Sequence, residues 1–482
     1  KSLEDLLKYL EQIQHIANKY KRNPFRAPQP MISECEKSFE EFCSLINKED
    51  SFKGTCIHFL FDEYENMLDY QKEFINSCAK NASYFHTYKI CVRPYGNDNA
   101  KTKIGSELLN EADDFKTIDY LTDIIGDPDD IAEFMRKACS RRLQEYYQKK
   151  RIAFDENDLA IDSYFPVSKS DDELFEIISS NQSYVLSISQ EVSKLFSAND
   201  VQFQKDWSLF QMKLLLVLSK KRGFNFFSVI NSIKAKDKKY KDWVNNYKKA
   251  ILFQCFLDLD QHYIMSGFED VIGISGNIVR YVLEVCDYSF LCTNYTSDGK
   301  FSAISEKMQT EAIYKVSQRR FQQISTIADY GQEIKQMVLA LGIIFRFYHK
   351  DAQIKRFEPN HFSIVRSKLS IGANEDRINE AIKLSIMHGA LTADRSTKNR
   401  DSIDTLTSED EDYHLHPILT PYFNISWRRK QKCRFTLDEI NTLLFGSDMS
   451  VSRLLQNYCQ KTNNQTSDGQ QISFADLKKE NY

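Results

Sequence analysis

Apolar positions fall into distinct textures along the chain. Leu3, Leu6, Leu7, Leu10, Ile13, Ala17 and Tyr20 recur every three to four residues, which predicts an amphipathic helix over residues 1–22. Pro24, Pro28 and Pro30 interrupt it, and a second helix is expected over Ser33–Asn47. Thr55–Phe61 (T-C-I-H-F-L-F) and Tyr84–Val92 (Y-F-H-T-Y-K-I-C-V) are short, apolar and β-rich, and the first predicts a buried strand. A helix over Asp69–Lys80 lies between them. Strand, helix and strand thus fit into ~40 residues, the spacing of a parallel βαβ unit.

From about residue 128 to 350 the pattern is helical, with few glycines and almost no proline. Pro128–Gln148 opens on the start signal D-P-D-D, and Phe203–Lys220 and Tyr247–Met265 are the clearest later helices. Residues 151–172 look like a loop and a domain boundary. Further helices are expected over Gln332–Lys350 and Glu375–His388, the latter closed by Gly389. Two short strands, Ala390–Arg395 and Asp412–His416, then bracket a polar loop. Helices followed by such a hairpin have the chain order of a winged helix. From Val451 the chain turns polar, and a partly disordered tail is expected. The expected domains are 1–150, 151–330, 331–446 and a tail at 447–482. The expected fold class is a partial α/β core, then a mainly α-helical region and a C-terminal winged helix, α-rich overall.

Composition narrows this picture by exclusion. With 15 glycines and 9 prolines in 482 residues, the chain is no collagen, linker protein or turn-rich all-β fold. Hydrophobic residues at 42% exclude disorder over most of the length. A net charge of −4 argues against wholesale binding of polyanions, so any nucleic-acid surface must be local. The 11 cysteines include no pair at C-x-x-C spacing, and His414 and His416 stand near none, so zinc ligation is not indicated. Reduced cysteines point to a cytoplasmic compartment. The apolar runs Met212–Leu218 and Met337–Phe345 fall short of the ~18 residues a membrane span needs.

Candidate chemistry concentrates at Asp62-Glu63, directly after the apolar run Ile57–Phe61. Ligands of open α/β sheets bind at the carboxyl ends of strands. In P-loop NTPases an acidic residue there holds the Mg²⁺ that bridges the phosphates, and a second carboxylate can activate water. The bland alternative is a solvated turn. A phosphate cradle needs G-x-x-x-x-G-K-[ST], and the sequence contains none. Its one Gly-Lys pair, Gly299-Lys300, precedes Phe301. No G-x-S-x-G, H-E-x-x-H or EF-hand loop is present.

The run F-L-F-D-E-Y-E-N-M-L-D-Y-Q-K-E-F-I-N (59–76), followed by K-I-C-V-R-P-Y-G (89–96), resembles AAA+ ATPases of the origin-recognition (ORC/CDC6-like) type, and especially their bacterial branch. Ser275–Arg280 looks like the start of that family's sensor 2 helix. H-P-I-L-T-P-Y-F-N-I-S-W-R-R-K (416–430) is similar to the end of its winged helix. The resemblance implies ATP and Mg²⁺ as cofactors. It makes Asp62 the Mg²⁺ holder through water, Glu63 the activator of water and Arg280 the sensor of the γ-phosphate. Arg93 takes the sensor 1 place, where Asn or Thr is more usual. Arg141 and Arg142 are arginine-finger candidates for a neighbouring subunit, against the plainer reading that they favour a helix C-terminal half.

The implied activity is that of an ATP-dependent switch controlling assembly with DNA or a partner, with antiphage defence a possible role by family likeness. The alternative is a non-catalytic DNA- or protein-binding scaffold on a degenerate ATPase fold. The chain opens on Lys1, and truncation upstream of the Walker B strand is the favoured account of the missing cradle. Turnover by this chain alone is therefore not expected. Double-stranded DNA is a candidate partner, alongside a homo-oligomer or a separate effector protein. Phosphate contacts are assigned to Arg428, Arg429, Lys430, Lys432 and Arg434, and in the wing to Arg395, Lys398 and Arg400. Asp401, Asp404, Glu409, Asp410, Glu411 and Asp412 would repel phosphates there, leaving protein docking as the competing use.

Overall fold

A computed structural model of the chain describes residues 11, 42–48, 50–97, 99–103, 107–167, 169–203, 206–221, 223–350, 358–365, 374–395, 411–428, 430–460 and 474. Residues 42–48 are helical, overlapping the end of the expected Ser33–Asn47 segment and running one residue past it. The helix expected over 1–22 lies outside the described residues but for Glu11. The chain divides into two compact units, Lys1–Ile124 and Ile125–Tyr482.

The first unit contains strand β1 (Ile57–Phe61), helix α1 (Asp69–Lys80) and strand β2 (His86–Ile90). The strands pair in parallel from Ile57↔His86 to Phe61↔Ile90, as the crossover spacing requires. Phe59 stacks on Tyr88 with ring centroids 5.3 Å apart. A buried polar knot holds the chain after β2 to α1. Tyr64 Oη donates to Asn76 Oδ1 at 2.7 Å, and Asn76 Nδ2 donates to the carbonyls of Asn99 and Lys101. One expectation is corrected here. β1 is not buried throughout: Ile57, Phe59 and Phe61 are half-buried, whereas His58 and Leu60 face outward and Leu60 is 72% exposed. Among the described residues the sheet has two strands.

In the second unit, helix α2 (Pro128–Lys150) starts where Asp127 accepts hydrogen bonds from the N–H groups of Asp129 and Asp130. Its buried stripe of Met135, Cys139, Leu143 and Tyr147 belongs to this unit. Cys139 Sγ lies 3.9 Å from Cys286 Sγ, and Tyr147 Oη lies 3.0 Å from Tyr164 Oη. The unit boundary therefore falls before α2, not at residue 150. Helices α3 (Asp171–Ser179), α4 (Gln182–Ser197), α5 (Leu209–Ser219), α6 (Phe226–Ala235) and α7 (Lys238–Asp258) follow. α7 begins well before the expected Tyr247, because Asp237 caps it through the Tyr240 N–H. Ala250–Leu257 are buried on every face, which places this half of α7 at the centre of the unit.

Helices α8 (Phe268–Ser275), α9 (Val279–Cys292), α10 (Glu306–Gln323) and α11 (Gly331–Lys350) lead into a second sheet. Strands β3 (Pro359–Val365), β4 (Leu391–Arg395), β5 (Glu411–Leu415) and β6 (Gln431–Thr436) take the order β4-β5-β3-β6. Helix α12 (Asn374–Met387) precedes β4, and α13 (Leu437–Phe445) follows β6. β4 and β5 form the expected antiparallel pair, while β3 runs parallel to β6. Phe362, Tyr413, Cys433 and Phe435 are buried on one face of the sheet. The other carries Thr392, His414, His361 and Lys432 in register across all four strands. The expected polar tail from Val451 is corrected for residues 451–460, which are helical. Helix α14 (Asp448–Gln460) packs on α11 and α13, with Val451 and Leu455 fully buried. Phe474 is buried as well, and its N–H donates to Ser452 Oγ. Close packing extends to α11, where a Cβ on Gly342 would lie 2.3 Å from the Phe423 ring.

Candidate nucleotide site and basic surface

In the first unit the chain leaves β1 into a one-turn 3-10 helix, Tyr64–Asn66. Asp62 and Glu63 are both exposed at the carboxyl end of the strand. Asp62 Oδ1 accepts from the Glu63 N–H at 2.9 Å. Glu63 adopts the left-handed backbone conformation (φ 54°, ψ 40°), which a non-glycine residue enters only at a cost of ~1 kcal/mol or more. Its carboxylate accepts from Asn66 Nδ2 at 3.3 Å. The pair thus offers hard oxygen donors of the type Mg²⁺ takes together with water. Among the described residues no cluster of three or more metal-ligating side chains surrounds them, so a cation here would draw its other ligands from water and phosphate.

Arg93, in the sensor 1 place, turns toward Glu65. Its Nε lies 3.0 Å from Glu65 Oε1, and its backbone N–H donates to Glu65 Oε2. The Glu65 side chain is almost fully buried, so this ion pair fixes the loop after β2 against the turn after β1. Sequence reading missed Glu65, although it stands two residues beyond Glu63 in the quoted motif.

In the second unit, Arg141 and Arg142 are exposed on α2 and both reach Glu145, at 3.3 and 3.8 Å. Arg280 is exposed on the first turn of α9, behind the left-handed pair Gly276-Asn277. No side chain caps that helix end. Beside it lies a residue the sequence did not single out, Arg320. It donates from Nε to Glu284 Oε2 at 2.8 Å and from Nη2 to Glu284 Oε1, and it stacks over Tyr281 at 4.5 Å. Burial holds the Arg320 pKa below the usual guanidinium value, and the charge of Arg280 adds to this. Tyr281 in turn meets His416 edge-on at 5.1 Å. His416 Nδ1 accepts from the Ile418 N–H, and Nε2 is buried with no hydrogen-bond partner among the described residues. Burial, then Arg320, pushes the His416 pKa down to about 3.

The basic residues near the end of the chain separate into two groups. Arg428 makes a two-pronged ion pair with Glu358 (3.1 and 3.0 Å), whose side chain is 1% exposed. Lys432 Nζ lies 2.7 Å from Asp412. Both cations are engaged inside the fold. Lys430 and Arg434 are exposed. Trp427 packs inward: Lys249 lies 4.8 Å above its ring, and Gly273 leaves room for its indole nitrogen. Arg429, Lys398, Arg400 and the acidic loop at 401–410 lie outside the described residues, as does the Arg395 side chain.

A family model described as ORC-CDC6-like matches residues 1–435, most of the chain. No curated protein and no solved structure matches it. No helix among the described residues is long and apolar enough to cross a membrane.

Proposed function

The chain belongs to the ORC-CDC6-like family, and from that premise we propose that it works as an AAA+-type switch in which ATP binding and hydrolysis control assembly with DNA or a partner protein. The observation that carries this reading is the pair Asp62-Glu63. Two exposed carboxylates stand at the carboxyl end of a parallel strand, and one is held in a costly backbone conformation. Asp62 would hold Mg²⁺ through water, and Glu63 would orient the attacking water. Arg280 would meet the γ-phosphate from the uncapped start of α9. The order α11, α12 and the β4/β5 hairpin supports reading residues 331–446 as a winged helix. Among the described residues its exposed cations Lys430 and Arg434 are the better candidates for phosphate contact than Arg428 or Lys432.

A second reading, a non-catalytic scaffold, draws support from Arg93. A sensor clasped by a buried glutamate is occupied with structure. Glu63→Gln separates the two. In a gene product that includes a phosphate loop, this change should lower ATP turnover at least about 100-fold while ATP affinity moves less than about threefold. Residues 1–482 alone should show no turnover. No ATP turnover above background by wild type or Glu63→Gln in that product would leave only the scaffold.

A further inference from the structure

The corner between α6 and α7 carries Lys234, Lys236, Lys238, Lys239 and Lys241, five lysines within residues 234–241. All five are exposed. None makes a salt bridge among the described residues, whereas Lys213, Lys248, Lys300 and Lys432 of the same unit each meet an aspartate at 2.7 Å. Asp237 is the one acid between them, and it is committed to capping α7 through the Tyr240 N–H. Asp242 follows Lys241.

Placement adds to the crowding. Lys238, Lys239 and Lys241 occupy the N-terminal end of a 21-residue helix with no acidic residue in its first turn. A helix presents its positive dipole end there, so cations are disfavoured. Lys236 sits in the left-handed conformation at φ 48°. The corner therefore keeps a net positive charge, five lysines against Asp237, which faces Lys239 and caps the helix, and Asp242.

The residue types choose the partner. Protein interfaces favour arginine and aromatic anchors and are depleted in lysine. Exposed residues 234–242 hold no arginine and no large apolar side chain. The nearest exposed large apolar residue of α6, Phe227, stands two turns before Lys234. A membrane surface would call for apolar side chains that insert beside the charges. Lysines are flexible point charges that neutralise phosphates without reading bases. We propose that the α6–α7 corner is a contact surface for the phosphate backbone of nucleic acid, separate from both the carboxylate pair and the 428–434 cluster.

The test is fluorescence anisotropy of the full chain with a labelled mixed-sequence duplex, without nucleotide, across a salt series. Replacing all five lysines by glutamine should weaken binding at least tenfold and flatten the slope of log K against log salt by about 4. Lys238→Gln alone should flatten it by about 0.9, which keeps the test independent of any folding defect in the multiple variant. A control replacing the exposed Lys149, Lys307 and Lys315 should change affinity less than about twofold. Several results would overturn the proposal: no binding by wild type at about 50 mM salt, an equal loss in the control, or tighter wild-type binding to phosphatidylserine vesicles or polyglutamate. None of these readouts depends on Asp62, Glu63 or ATP, so failure here and failure of the switch reading are distinguishable.

Discussion

In the first unit a two-stranded parallel sheet delivers Asp62 and Glu63 to solvent with few partners among the described residues, and His58 and Leu60 of β1 are exposed. In the second, polar and charged side chains on and beside a four-stranded sheet are set against one another. Arg428 meets Glu358, Lys432 meets Asp412, and His414 Nε2 lies 3.0 Å from Asp394. The charge-rich motifs of the two units invite the same functional reading. The packing separates them: charges consumed within a fold hold it together, and charges left exposed on a strained backbone are available to a ligand.

Arg428→Ala should sharpen this contrast most. It strips the partner from the buried Glu358 and should destabilise the second unit by about 2–3 kcal/mol, measured by urea unfolding. A loss of DNA affinity with unchanged stability would instead return Arg428 to the binding surface. The next effect is pH dependence. The folded pKa of His416 lies below its unfolded value, so the unfolded chain binds the extra proton between about pH 6.5 and 3. Stability from this group is complete above about pH 6.5 and falls through that window, by roughly 2 kcal/mol at pH 5. His416→Asn, which can keep an acceptor for the Ile418 N–H, should flatten the pH dependence of thermal unfolding. Smallest, and opposite in sign, is Glu63→Gly. Release from the left-handed conformation should stabilise the first unit by up to about 1 kcal/mol while removing the candidate base. A destabilising result would show that Glu63 is not strained.

Local signals carried much of the fold. The start of α1 and its end were legible to the residue, because an apolar stripe and Gly/Pro-free sequence leave few alternatives. The ends of α11 and α12 fell within a residue of expectation. β3 and β6 were not recognised. β3 begins at a proline and buries Asn360 and His361, so its texture is polar. Asn360 Nδ2 donates to the distant carbonyls of Ser426 and Arg428. β6 hid inside the basic cluster, although Cys433 and Phe435 alternate with Lys432 and Arg434 at the period of two that marks a strand. At the carboxylate site the motif was visible, but its setting was not. That Arg93 would be taken by Glu65, or Arg280 neighboured by Arg320, depends on contacts between residues far apart in sequence.

The parallel pairing of β3 with β6 has a consequence for the order of events during synthesis. β3 sits between β5 and β6, and the strand that completes it arrives some 70 residues later. A nascent chain that has emerged only as far as β5 exposes one side of β3 to unrelated polypeptide, and the long loop it must close makes this step slow. The carboxyl-terminal segment thus acts as the seal on the growing unit, and a ribosome stalled before residue 431 would release a product with an open, adhesive flank.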